Sequence, residues 1–406
     1  MTKIEIAQNQ YPVNVSIDLP ASKSIANRAL IINALSDSPA SIHNLSKARD
    51  TQTMARLLNS SDEVLDVIDA GTTMRFLVAY LAITNKTKIL TGTPRMCERP
   101  IKILVDALKE LGASVDYEGK SGYPPLRIKG FTDRQKTELN IQGNVSSQYI
   151  SAVLMIAPLL QNGLKLNLIG KISSKPYIDM TLEVMEFYGA EIRWEGNSIH
   201  VTSGKYQTHD YWVEPDWSAA SYWYSIVSLS KQMEVFLKDL KKDSLQGDRV
   251  ISDIMILLGV KTEFTDGGAY LKKTEHRTSI EVDFTDCPDL AQTVAVICAA
   301  KGIKGVFRGL ESLKIKETDR VSALQIELKK INTLLEESNG YWTLTPGYTN
   351  ESRYAFHSYD DHRMAMAFAP LAMVASIEID TPEVVNKSYP GYWNDYKKAG
   401  FLLKKM

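Results

Sequence analysis

No stretch of this chain stays apolar for the roughly 18 residues that a membrane-spanning helix requires. Its opening, Met1-Thr2-Lys3-Ile4-Glu5-Ile6, has none of the apolar character of a signal segment. Cysteine is scarce: Cys97, Cys287 and Cys298 show no metal-ligand spacing and cannot all pair, which suits a reducing compartment. An excess of either charge is missing too. With 47 basic and 48 acidic residues the net charge is −1, so the whole molecule offers no electrostatic footprint for nucleic acid or for an anionic membrane. Any positive potential has to be local. No Gly/Ser/Pro-rich linker and no low-complexity tract divides the chain. These absences predict a soluble cytoplasmic protein, and 406 residues are too many for one ordinary core, which implies about two to three domains.

What the chain does contain is a recurring head. Six stretches begin with small, polar or charged residues and run at once into an Ala/Leu/Met-rich helical pattern. They are Ala21-Ser22-Lys23-Ser24 with Asn27-Arg28, Ala70-Gly71-Thr72-Thr73, Ser146-Ser147-Gln148, Asp216-Trp217-Ser218, Pro288-Asp289-Leu290 and Asp360-Asp361-His362-Arg363. A helix N-terminus carries unpaired N–H groups and about half a positive charge, so several of them with Lys and Arg at the head are suited to holding anions. Singly, each head reads as capping and solvation: Ser22 or Ser24 as an N-cap, Asp289 as a helix N-terminal carboxylate. Lys23 and Arg28 lie five apart, so they share an anionic target only if Lys23 sits in the turn before the helix.

The heads fall in register with a repeat. Gly112, Gly189 and Gly259 each follow a helical run and precede β-branched or aromatic residues, as a helix C′ glycine before a strand would. Their spacing of about 70 to 77 residues suits a β-α-β-α-β-β unit. Lys23 to Gly71 spans only about 48 positions, so the first unit is expected to be truncated. Three heads before about residue 180 and three after about 215 imply two lobes of three units, 22–214 and 1–21 plus 215–406, with crossings near Pro20 and Pro215.

The same residues carry a resemblance. Pro20-Ala21-Ser22-Lys23-Ser24 with Asn27-Arg28, Asp69-Ala70-Gly71-Thr72 with Met74-Arg75, Pro94-Arg95-Met96-Cys97-Glu98-Arg99-Pro100, Ser146-Ser147-Gln148, Ser174-Lys175-Pro176-Tyr177, Lys316-Glu317-Thr318-Asp319-Arg320 and Asp361-His362-Arg363-Met364-Ala365-Met366 resemble, in order, the motifs of the 5-enolpyruvylshikimate-3-phosphate synthase family. The resemblance runs from Pro20 to Lys387. It implies a two-domain inside-out α/β barrel of six repeats with the active site in the cleft between lobes. It also implies transfer of the enolpyruvyl group of phosphoenolpyruvate to the 5-hydroxyl of shikimate 3-phosphate, with no metal and no organic cofactor. These two small molecules are the partners expected, and the chain is expected to act as a monomer. In this family glyphosate competes with phosphoenolpyruvate.

By resemblance, Lys23, Gly71, Arg99, Gln148, Arg320, Arg363 and Lys387 hold phosphoenolpyruvate. Lys23, Ser24, Arg28, Ser146, Ser147, Gln148, Ser174, Tyr177, Asp289 and Lys316 hold shikimate 3-phosphate. Asp289 is the matching base, and Glu317 the matching acid, with Lys23 as an alternative proton donor. The chemistry is consistent, because two phosphates and two carboxylates bring about six negative charges and need converging cations. A glycine at 71 lets backbone approach a ligand. Departures are Asp69 for a common Asn, Ser312 for Asn, Cys97 for Lys and Phe76 for Pro. A carboxylate at 69 would oppose anion binding unless it points away. The sister UDP-N-acetylglucosamine enolpyruvyl transferases, and a non-catalytic anion binder on the same scaffold, stay open as alternatives.

Overall fold

The computed structural model describes residues 2–9, 13–131, 136–347 and 351–406. Among them the strands form five four-stranded sheets and one two-stranded sheet. One sheet shows the plan. Strand Glu138–Gln142 leads through helix Ser147–Ile156 to the parallel strand Leu164–Ile169. Helix Lys175–Phe187 follows, and the hairpin Ile192–Glu195 and Ser198–Val201 pairs antiparallel against Leu164–Ile169. The same order recurs in the sheet of Val64–Asp66, Lys88–Thr91, Ala113–Tyr117 and Leu126–Phe131, and in that of Ser279–Asp283, Lys304–Arg308, Leu334–Ser338 and Tyr341–Thr345. Two further copies are assembled from distant segments. Strand Val13–Ile17 lies parallel to Met233–Lys238, and strand Lys3–Ile6 sits between Ser376–Asp380 and Leu403–Lys405. The two-stranded sheet, Ile42–His43 beside Tyr211–Trp212, has no hairpin.

Each sheet supplies two helices of different character, and sequence explains the difference. The helix after the first strand is apolar nearly all round and sits inside: Gly71–Ile83, Ser147–Ile156, Trp217–Leu229, Ala291–Lys301 and His362–Phe368 bury almost every residue. The helix after the second strand carries a polar face, as in Arg49–Leu58 and Lys102–Leu111. Gly112, Gly189 and Gly259 all take positive φ at the ends of such outer helices, a conformation that glycine adopts without a Cβ clash. The strands Ala113–Tyr117, Ile192–Glu195 and Val260–Thr265 begin just after them.

The chain divides into two compact units, Ala21–Val213 and Met1–Pro20 with Glu214–Met406. In the first, helices Lys23–Leu35, Gly71–Ile83 and Ser147–Ile156 pack on one another. In the second, Trp217–Leu229, Ala291–Lys301 and His362–Phe368 do the same. Each unit therefore buries three apolar helices against one another.

Candidate active site

In the unit Ala21–Val213 two of the three heads meet through side chains, and the third pairs with a neighbouring helix. Ser22 caps helix Lys23–Leu35, which makes Lys23 its first helical residue, and Lys23 Nζ stands 3.2 Å from Asp50 Oδ2. Asp50 is buried at the start of helix Arg49–Leu58. Arg28 turns elsewhere. Its Nε donates to Thr181 Oγ1 at 2.7 Å, Nη1 to the Ser24 carbonyl at 2.8 Å, and Nη2 to Ser151 Oγ at 3.2 Å and the Tyr177 carbonyl at 3.1 Å. Burial pushes its guanidinium down to about 10, against the raising influence of Tyr177. Lys23 and Arg28 thus part toward different partners, as the five-residue spacing along one helix dictates.

Arg99 lies across the start of helix Gly71–Ile83. A Cβ at Gly71 would stand 2.8 Å from Arg99 Nη1 and 3.0 Å from Nη2. The guanidinium occupies the space that a side chain would take. The turn that delivers it is the short helix Pro94–Cys97, capped by Thr93, whose Oγ1 accepts from the Met96 amide at 3.3 Å. Beyond it, the Pro100 carbonyl accepts from Tyr149 Oη at 2.6 Å and Arg75 Nη2 at 3.3 Å. Gln148 Nε2 donates to Thr72 Oγ1 at 3.0 Å, and its amide reaches Ser146 Oγ at 3.4 Å, so two heads are joined by one amide side chain. Ser147 is buried beside it. Ser174 precedes helix Lys175–Phe187 in a left-handed conformation, with φ of 55°. Asp69 is paired: Arg49 Nη2 sits 2.9 and 2.8 Å from its two carboxylate oxygens. The carboxylate that the sequence set beside an anion site has a cation of its own.

The second unit gathers a denser cluster around Arg320, the first residue of helix Arg320–Lys329 and only 2% exposed. Its Nε donates to Asp361 Oδ2 at 2.7 Å, Nη1 to Asp289 Oδ1 at 3.0 Å and Nη2 to Glu317 Oε2 at 2.9 Å. Burial alone would ease its proton off, but Asp361, Glu317 and Asp289 outweigh this and keep it charged. Asp289 Oδ2 takes a second guanidinium, Arg363 Nη2, at 2.8 Å. Burial opposes ionisation of Asp289, and Arg363, Lys316 and Arg320 overcome it, holding the carboxyl well below the usual carboxylate range. Glu317 Oε1 faces Lys387 Nζ at 3.3 Å, and Lys387 is 1% exposed. Asp361 is fully buried and caps helix His362–Phe368, accepting from the Arg363 amide at 2.9 Å. Lys316 lies just past the turn Glu311–Ile315 and acts on Asp289 through its charge.

Several contributors carried no sequence signal of their own. Asp248, in Gln246-Gly247-Asp248, is buried and accepts from Ser218 Oγ. Burial and the neighbouring charge of Asp289 push its carboxyl up to about 7, although Arg363 and the Ser218 hydroxyl pull it down. Ser218 Oγ is also 3.4 Å from Arg363 Nη2, and Tyr222 Oη is 3.5 Å from Arg363 Nη1. Both lie on the head Asp216-Trp217-Ser218 and its helix, which the sequence marked without assigning a ligand. Asp361 and Thr72 stood inside recognised motifs, whereas Asp50 becomes visible only through its contact with Lys23.

Chemically, each cluster is a set of cations and helix ends, with carboxylates fixed among them. Such a set can bind polyanions, and it holds Asp289 as a carboxylate. The family model described as EPSP synthase (3-phosphoshikimate 1-carboxyvinyltransferase) matches residues 7–60 and 58–396. A 3-phosphoshikimate 1-carboxyvinyltransferase of Bacteroides fragilis (strain YCH46) is 50% identical over 397 residues, covering 97% of this chain and 97% of its own. The protein of that description from Sulfurovum sp. (strain NBC37-1) is 36% identical, covering 97% of this chain and 98% of its own. A solved EPSP synthase from Acinetobacter baumannii shares the fold, with a TM-score of 0.81 at 17% identity and 100% of each chain covered.

Proposed function

The chain belongs to the EPSP synthase family, and from that membership we propose how its side chains divide the work of a 3-phosphoshikimate 1-carboxyvinyltransferase. The reaction moves the enolpyruvyl group of phosphoenolpyruvate to the 5-hydroxyl of shikimate 3-phosphate and releases phosphate. The observation that carries the residue assignment is Asp289, a carboxylate gripped by two guanidiniums at 3.0 and 2.8 Å and held ionised. A group that accepts the 5-hydroxyl proton has to arrive unprotonated, and the two cations also fix its direction.

In this reading the 5-hydroxyl oxygen bonds to C2 of phosphoenolpyruvate as its proton passes to Asp289, and the methylene carbon gains a proton. The tetrahedral adduct then loses phosphate, and the methyl group gives a proton back as the double bond returns. Lys23 is favoured as the donor to carbon, since its ammonium has protons to give, whereas Glu317 already accepts from Arg320 and faces Lys387. Arg99, Arg320, Arg363 and Lys387 receive the phosphate and carboxylate of phosphoenolpyruvate, together with the amides at Gly71. Ser24, Arg28, Ser146, Ser147, Ser174, Tyr177 and Lys316 serve shikimate 3-phosphate, with Gln148 serving both. The reading takes residues 22–214 and 1–21 plus 215–406 as two three-repeat lobes of an inside-out α/β barrel, and has both clusters serve one substrate pair. The five sheets of common strand order and the single hairpin-less sheet support it.

A coupled assay of phosphate release tests the assignment. Release that requires both shikimate 3-phosphate and phosphoenolpyruvate is expected. Release on UDP-N-acetylglucosamine in place of shikimate 3-phosphate would overturn it.

A further inference from the structure

Arg363 and Asp361 are delivered into the second cluster by the loop 357–361, whose backbone is unusual. Tyr359 and Asp360 take positive φ in succession, 55° and 53°, a region that suits glycine and disfavours a bulky side chain. Such a conformation persists only where its surroundings impose it. The imposing group is Glu327, a carboxylate with 0% exposure on helix Arg320–Lys329. Its Oε1 accepts from Tyr359 Oη at 2.7 Å, and its Oε2 accepts from the His357 amide at 3.0 Å and from Lys330 Nζ at 2.7 Å. Lys330 also donates to the Ala355 carbonyl at 3.1 Å. From the other side Asp380 accepts from the Ser358 amide and from His357 Nδ1, each at 2.6 Å.

Glu327 lies seven residues beyond Arg320, so the two share one face of the same helix. At one end of that face Arg320 pairs with Asp361, and at the other Glu327 holds Tyr359 and His357. We propose that buried Glu327 and half-buried Tyr359 form a strut that positions Asp361 and Arg363, and through Asp361 also Arg320, for the donor substrate. Neither residue touches the reacting atoms, so both are positioning residues. The proposal rests on the reading of Arg320 and Arg363 as ligands of phosphoenolpyruvate.

Two variants of the full-length protein test it. Tyr359→Phe removes one hydroxyl. Glu327→Gln keeps the shape but presents an amide N–H to donors that need an acceptor. The measurements are amide exchange over residues 355–365 without substrate, and steady-state kinetics with each substrate varied. A lost hydrogen bond to a charged group predicts a phosphoenolpyruvate KM raised about threefold to fivefold in Tyr359→Phe and about tenfold or more in Glu327→Gln. The shikimate 3-phosphate KM should stay within about twofold, and exchange at the Asp361 and Arg363 amides should quicken in the same order. Equal increases in both KM values, or an unchanged phosphoenolpyruvate KM in both variants, would overturn the strut. Should Glu327→Gln fail to fold, Tyr359→Phe carries the comparison. Absence of phosphate release by the parent would remove the reading of function instead, and unchanged exchange in Tyr359→Phe would then overturn the strut on its own.

Discussion

Asp289 and Asp248 are neighbouring carboxyls pushed in opposite directions from the usual carboxylate range. Two guanidiniums hold Asp289 ionised, while Asp248, buried with a hydroxyl donor, is pushed up to about 7. The two make different contributions to stability. The depressed Asp289 stabilises the fold above the usual carboxylate range, and that contribution is lost as pH falls through its folded value. The raised Asp248 costs nothing below its unfolded value of about 3.9, and its cost grows as pH rises toward about 7. Asp248→Asn should therefore raise Tm relative to the parent at about pH 8, with the difference vanishing near pH 4. A constant difference across that range would show that Asp248 does not titrate in the fold. Asp289→Ala should keep substrate binding largely intact but lower kcat by at least about 10²-fold, the lower end for removal of a general base. Near-normal turnover in the phosphate-release assay would take Asp289 out of the chemistry.

Gly71 bears on the donor pocket at this same scale. A methyl group there meets the Arg99 guanidinium at 2.8 Å, and the flexible end of that side chain has to give way. Gly71→Ala should raise the phosphoenolpyruvate KM modestly and weaken glyphosate, a bulkier occupant, by a larger factor. An unchanged inhibition constant would mean that Arg99 and Gly71 do not line that pocket. The sequence marked Asp289, Gly71 and Arg99 through motifs, but it could not show that Asp69 pairs with Arg49 or that Asp248 joins Ser218. Those contacts join residues about 20 to 30 positions apart and depend on packing that no local pattern encodes.

Among the elements, the helix heads and their terminating glycines were the most legible, because caps and left-handed C′ positions are dictated by local chemistry. Ser22, Thr93, Ser146, Asp216, Asp319 and Asp361 all accept from amides of the helices they begin. The packing role of Arg28 was not legible. It reads as a ligand from its motif, yet its guanidinium ties together helices Lys23–Leu35, Ser147–Ile156 and Lys175–Phe187. Its removal takes four hydrogen bonds from that junction, each contributing about 0.5–1.5 kcal/mol. Arg28→Ala should thus lower unfolding free energy by at least about 2 kcal/mol in urea denaturation, apart from any effect on shikimate 3-phosphate. A loss confined to substrate binding, with stability unchanged, would show that the ties between helices contribute little.

For the molecule as a whole, the period of the repeat could be read from three glycines, because each closes an outer helix ahead of a hairpin or strand. What could not be read is that two sheets are completed by segments far apart in the chain: Lys3–Ile6 pairs with Ser376–Asp380, and Val13–Ile17 with Met233–Lys238. Strand patterning reports burial and not partnership, so a short alternating segment near residue 3 does not name its neighbour.

That wiring has a consequence for synthesis. Every sheet of the unit Ala21–Val213 is closed within its own residues. The strands Lys3–Ile6 and Val13–Ile17 emerge from the ribosome before it but wait for partners more than about 200 residues later. Meanwhile the intervening unit has all it needs to fold. The Pro20 carbonyl finally receives the Asp216 amide at 2.9 Å, bringing the two ends of the interruption within one hydrogen bond of each other. Translation order thus makes the inserted unit the early folder, and leaves the unit that begins the chain as the later one to close, with its first strands exposed to pairing with the wrong edges in the interval.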